Sequence, residues 1–140
     1  MTPDTLETRL LARIERKRRN VFLRADFDDL GGYDQVGRVL RQLVREGRLL
    51  KLGYGLYTRA RPSLIDGKPT PVKAVSDLAA EALGRIGIET APTRLQDDYN
   101  AGRTTQVPTG RVIGVRSRVR RKISYNGIPL SFERAGPAPR

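Results

Sequence analysis

The segment 33–47 constrains the fold more than any other part of the chain. Val36, Val39, Leu40, Leu43 and Val44 recur at steps of three and four, which gathers apolar side chains on one side of an α-helix. At roughly 100° per residue, Asp34, Arg38, Arg41 and Arg45 fall on the opposite side, with Gln35 and Gln42 beside them. A helix over 33–46 is therefore expected, ended by Gly47 as the residue that reverses the backbone. Its apolar stripe requires partners, and the neighbouring segments offer them.

Upstream, residues 3–18 read as a helix, with Thr2 as its cap, Pro3 in its first turn, and Asp4 and Glu7 opposing the dipole. Leu6, Leu10, Leu11 and Ile14 share its buried side. The basic run 16–19 suits the negative end of such a helix, where a solvated terminus explains it as well as a ligand does. Val21, Phe22 and Leu23 make a brief strand, and 26–30 a short helix stopped by Gly31 and Gly32. Downstream, the apolar runs 48–52 and 56–59 flank Gly53, Tyr54 and Gly55, the pattern of a β-hairpin. Segment 61–71, with Pro62, Gly67, Pro69 and Pro71, reads as a linker.

This gives a first domain over 1–61, a linker over 62–71 and a second domain over 72–134, followed by a disordered tail over 135–140. The second domain opens with a helix over 72–86, its stripe formed by Val75, Leu78, Ala79, Ala82, Leu83 and Ile86, and stopped by Gly87. Residues 88–110 look polar and irregular. Short β segments follow from Arg111, with Asn126-Gly127 as a strong hairpin signal. The expected class is α+β, with an antiparallel β second domain.

Composition removes several functions. No Cys and no His occur, which excludes disulfides, the usual zinc, haem and iron–sulfur ligands, and Ser-His-Asp or Cys-His catalysis. No apolar run approaches a membrane span of about 18 residues, and the first ten residues lack a signal peptide's basic and apolar regions. The paired carboxylates Asp28-Asp29 and Asp97-Asp98 fit helix starts or loops better than a metal site, and no phosphate-binding glycine motif is present. No enzyme activity, cofactor or metal is expected. Lys and Arg number 27 against 15 Asp and Glu, a net charge of +12, which points to a polyanionic partner in the cytoplasm and nucleoid.

Helix, short strand, short helix, amphipathic helix and hairpin, in that order, are the elements of a winged helix-turn-helix. In that reading Asp34, Gln35, Arg38, Arg41 and Gln42 face DNA bases. Arg suits guanine, and Gln suits adenine. Arg45, and Lys51 and Arg59 on the hairpin strands, would touch phosphates, and Tyr54 at the tip a groove or sugar. A merely solvated face is the ordinary alternative. Against it, residues 34–59 hold six cations (Arg38, Arg41, Arg45, Arg48, Lys51, Arg59) and two acids (Asp34, Glu46), a net +4.

A second basic cluster, Arg111, Arg116, Arg118, Arg120, Arg121 and Lys122, places six cations in twelve residues without an acid. On a strand, Arg116, Arg118, Arg120 and Lys122 would share one face, although a turn near Ser117 would break that alignment. These residues are candidates for DNA backbone contact. Protection of a sheet edge is the competing explanation. RNA or ribosome binding, and a winged helix serving only protein contact, are the alternative functions.

The run 21–62 resembles the N-terminal winged-helix domain of AbiEi-type antitoxins. Phe22, Asp26-Phe27, Leu30-Gly31, Val36, Leu40, Leu43, Gly47, Leu49, Gly55, Tyr57 and Pro62 stand at that family's positions. Thr104-Thr-Gln-Val-Pro108 is similar to a segment of the same proteins, whereas 96–103 departs from their pattern. The resemblance implies a transcriptional regulator that represses its own operon through operator DNA. It also implies a cognate nucleotidyltransferase-like toxin countered without a stable complex. A stand-alone regulator without a toxin is the other reading.

Overall fold

A computed structural model describes residues 5–125 and 127–135. The chain is of the α+β class and divides into two compact units, Met1–Val72 and Lys73–Arg140.

The first unit begins with α1 (Leu6–Arg16), one turn later than expected. Thr5 is its cap and accepts the Thr8 N–H at 3.2 Å. The expected cap Thr2, with Pro3 and Asp4, lies outside the described residues. Strand β1 (Val21–Leu23) leads into a single 3-10 turn, Arg24–Phe27, rather than a helix over 26–30. The Asp26 carboxylate accepts the Leu23 N–H at 2.9 Å and so caps the start of this turn, and the chain beyond it makes only i→i+3 bonds, Asp28 N–H to Ala25 O and Leu30 N–H to Phe27 O. Helix α2 (Tyr33–Arg45) follows, and its end is a Schellman closure. Gly47 sits at φ +77° and donates to Val44 O, while Arg48 N–H donates to Leu43 O at 2.9 Å.

Strands β2 (Leu49–Gly53) and β3 (Leu56–Pro62) form the expected hairpin, and β1 pairs with the far edge of β3, giving the order β1-β3-β2. Leu10, Ile14, Phe22, Phe27, Val36, Leu40, Leu43, Leu49 and Tyr57 form one buried cluster beneath both helices. Segment 62–71 is not a linker. Its end, β4 (Pro69–Pro71), pairs antiparallel with β3, with Ala60 opposite Pro71 and Pro62 opposite Pro69. Prolines tolerate this place because a short edge strand leaves their missing N–H groups without cost.

The second unit starts with α3 (Val75–Arg85), three residues later than expected and capped by Ala74. Leu78, Ala79, Ala82 and Leu83 are buried. The stretch 88–110 contains two further elements, β5 (Thr90–Ala91) and α4 (Arg94–Asn100). A capping box starts α4: Thr93 Oγ1 accepts the Gln96 N–H at 3.1 Å, and Gln96 Oε1 accepts the Thr93 N–H at 2.7 Å. Strand β6 (Val112–Val115) pairs antiparallel with β5 but parallel with β9 (Ser131–Arg134), so this sheet is mixed rather than antiparallel. Gly114 is required there, since a Cβ would collide with the Ala91 carbonyl. A separate ladder joins β7 (Ser124–Tyr125) to β8 (Ile128–Pro129) at the expected turn, where Gly127 takes φ +82°. Asn126 and the tail 136–140 lie outside the described residues. Among the described residues no helix is long and apolar enough to cross a membrane.

Candidate nucleic-acid interface

The apolar stripe of α2 fixes which side of it faces out. Val36, Leu40 and Leu43 are essentially fully buried, so the helix cannot rotate without exposing them. Asp34, Gln35, Arg38, Arg41 and Arg45 are correspondingly exposed. No carboxylate among the described residues pairs with Arg38, Arg41 or Arg45. Gln42 is half-buried and gives its amide to Glu46 Oε1 at 3.1 Å, which commits it within the helix. Lys51 is exposed on β2.

The turn of the β2–β3 hairpin is tied to the start of α2. Tyr54 is 75% exposed, and its hydroxyl lies 3.1 Å from that of Tyr33, the first residue of the helix. That bond holds the Tyr33 phenol above its usual 10.0. Arg24 joins the same corner from below. Its backbone N–H donates to Gly55 O at 3.0 Å, its guanidinium donates to Tyr33 O, and its Cζ stacks 3.5 Å from the Tyr33 ring centroid. Helix start, turn and cation thus form one corner, in which burial also raises Tyr57. Arg24 and Tyr33 were not among the residues expected to matter. The signal for them was Gly37, a glycine inside a strongly periodic helix, where a close approach by another group is the usual reason. A Cβ at Gly37 would lie 2.8 Å from Arg24 Cζ.

Two expected phosphate ligands are engaged within the fold. Arg59 turns inward: it donates to the carbonyls of Ile14 and Lys17 and, at 3.1 Å, to that of Arg19, and it sits over the Phe22 ring. It satisfies carbonyls left open where α1 ends, so it belongs to the scaffold. Arg116 lies 3.4 Å from Glu89, with its side chain 23% exposed. The segment from Arg116 to Lys122 is not a strand, so no period-two face forms; Arg118, Arg120, Arg121 and Lys122 are nonetheless all exposed.

Two of the four paired carboxylates, Asp29 and Asp98, have structural partners. Asp29 makes a bidentate pair with Arg13, one arm at 2.8 Å, which lowers the Asp29 pKa and raises that of Arg13. Asp97 lies in the first turn of α4, and Asp98 pairs with Arg103 at 2.9 Å. No group of three or more His, Cys, Asp or Glu that could hold a metal occurs among the described residues. Compared with protein-family models, curated proteins and solved structures, the chain matches none.

Proposed function

We propose that the first unit is a winged helix-turn-helix that binds double-stranded DNA, and that the protein is a sequence-specific regulator of transcription without enzyme activity. The single observation that carries this is the exposed row Asp34, Arg38, Arg41 and Arg45 on a helix whose opposite side is locked in the core. The strand order β1-β3-β2 and the hairpin immediately after α2 support the same reading.

In the proposed complex α2 lies in the major groove. Arg38 and Arg41 offer bidentate donors to guanine, and Gln35 offers an amide to adenine. Arg45 and Lys51 meet phosphates, and the Tyr33–Tyr54 corner sets the angle of the hairpin as the wing. Exposed Arg118, Arg120, Arg121 and Lys122 add backbone contacts from the second unit. Repression of its own operon, with a nucleotidyltransferase-like toxin as the functional counterpart, is the biological setting we propose from the sequence resemblance.

A footprint of the purified protein on the DNA upstream of its own gene tests binding and autoregulation together. Protection of one short sequence supports the proposal, and uniform or absent protection refutes it. Arg38→Ala and Arg41→Ala should each lower discrimination between the protected sequence and a permuted duplex by about 1–3 kcal/mol. Equal weakening on both duplexes would make them phosphate contacts instead.

A further inference from the structure

The turn joining β3 to β4 is closed by its own hydrogen bonds. Ser63 N–H donates to Lys68 O at 2.8 Å, and Gly67 N–H to Ser63 O at 2.9 Å. Ile65 N–H donates to Ser63 Oγ at 3.1 Å, and Lys68 N–H to Asp66 Oδ1 at 3.0 Å. Gly67 supplies the left-handed conformation, at φ +72°, that the reversal needs. The top of this well-bonded turn nevertheless carries Leu64 at 105% and Ile65 at 96% exposure. Two aliphatic side chains held clear of every neighbour contribute nothing to the unit's own core.

Their position relative to α2 is informative. The 13 residues of α2 span about 20 Å, and the seven of β3 about 23 Å. One end of β3 adjoins the Tyr54 turn at the start of α2. At the other end, a Cβ on Gly47 would lie 2.8 Å from Pro69 Cγ, and Arg45, Gly47, Pro62, Gly67 and Pro69 line one crevice. The two turns therefore bracket the two ends of α2.

Charge around the second turn favours a polyanion. Arg45, Arg61 and Lys68 are exposed, with no carboxylate partner among the described residues. Glu46 lies 3.5 Å from Arg48, and Asp66, which accepts the Lys68 backbone N–H, keeps its charge, so cations still outnumber acids around the turn. An apolar tip of two residues is also small for a protein-docking patch but matches the wedges that proteins insert between base steps.

We infer that Leu64 and Ile65 form an apolar wedge that enters the minor groove and opens a base step in the duplex whose major groove α2 occupies, with Arg61 and Lys68 on the flanking phosphates. The inference rests on the proposed DNA-binding function. The test uses Leu64→Ser/Ile65→Ser, whose positions are too exposed to disturb folding, on a duplex spanning the footprint. The duplex carries 2-aminopurine at successive steps, and a circular-permutation gel reads the bend.

The wild-type protein should raise 2-aminopurine fluorescence at one step beside the footprint's centre and bend the duplex. The double variant should lose both signals and bind roughly tenfold more weakly. Its salt dependence should be unchanged, because no cation has been removed. Arg38→Ala at saturating concentration should keep the fluorescence signal. Equal affinity, fluorescence and bend for wild type and double variant overturn the wedge while leaving the DNA-binding function intact. A wild-type dimer in sedimentation that the double variant dissociates also overturns it, by making the tip an interface between copies. No footprint by the wild type removes both readings.

Discussion

Gly37→Ala reverses the usual sign of a helix substitution in this protein. In an ordinary helix interior, replacing Gly by Ala stabilises by about 1 kcal/mol. Here the new methyl would overlap the Arg24 guanidinium, which must then leave the Tyr33 ring and the Tyr33 carbonyl. The stacked cation contributes about 0.5–1 kcal/mol and the hydrogen bond about 1 kcal/mol at an exposed site. The loss of about 1.5–2 kcal/mol exceeds the propensity gain, leaving a net destabilisation of about 0.5–1 kcal/mol. In an Arg24→Ala background the same substitution meets no guanidinium and should stabilise by up to about 1 kcal/mol. Urea unfolding of the full chain, followed by far-ultraviolet circular dichroism on all four proteins of this cycle, separates the two cases. If Gly37→Ala stabilises the protein with Arg24 present, the corner that joins α2 to the hairpin turn carries no net energy and the argument fails.

Further outcomes are open to measurement. Arg59→Ala should destabilise the first unit by about 2 kcal/mol, because the end of α1 loses its hydrogen-bond donors and the Phe22 ring its stacked cation. An unchanged melting temperature with weakened DNA binding would return Arg59 to the phosphate contacts. Neutralising Arg120, Arg121 and Lys122 together should reduce the slope of log affinity against log salt by about 0.9 for each phosphate that is no longer neutralised. An unaltered slope removes the second unit from the interface. Because Arg13 holds Asp29 below its usual 3.8, the stability from this pair is full above that value. It declines as pH falls through the lower folded value. Asp29→Asn should therefore be less stable than wild type at neutral pH, with the gap closing below pH 3.8, as followed by thermal melts across an acid series.

The first unit was largely legible because its elements are amphipathic and carry strong punctuation. The α2 stripe, its Gly47 terminus and the glycine-flanked hairpin each rest on local chemistry that tertiary packing does not override. The register of the α2 face followed from that stripe, so the exposure of Arg38, Arg41 and Arg45 was readable in advance. Arg59 was not readable, because its partners are backbone carbonyls about 40 residues earlier and a guanidinium's direction leaves no trace in periodicity. β4 was hidden for a similar reason: Pro69 and Pro71 signal a break, and only the neighbouring strand makes them an edge. α4 has no buried residue, so no apolar period announces it; its signal was the Thr93–Gln96 capping pair. The parallel pairing of β6 with β9 depends on contacts between residues nineteen apart, beyond the reach of hairpin signals.

That same-direction pairing has a consequence for the basic cluster. Two strands running the same way need a return path of a dozen or more residues between them, and here it is the fifteen residues 116–130. Arg118, Arg120, Arg121 and Lys122 ride on this returning stretch instead of on a ladder whose spacing is set by hydrogen bonds. The sheet therefore fixes where this stretch leaves and returns, at Val115 and Ser131, while the spacing of the four cations along it is not set by the ladder. On the proposed DNA-binding reading, such a loop would meet phosphates, and recognition of sequence would fall to α2 of the first unit.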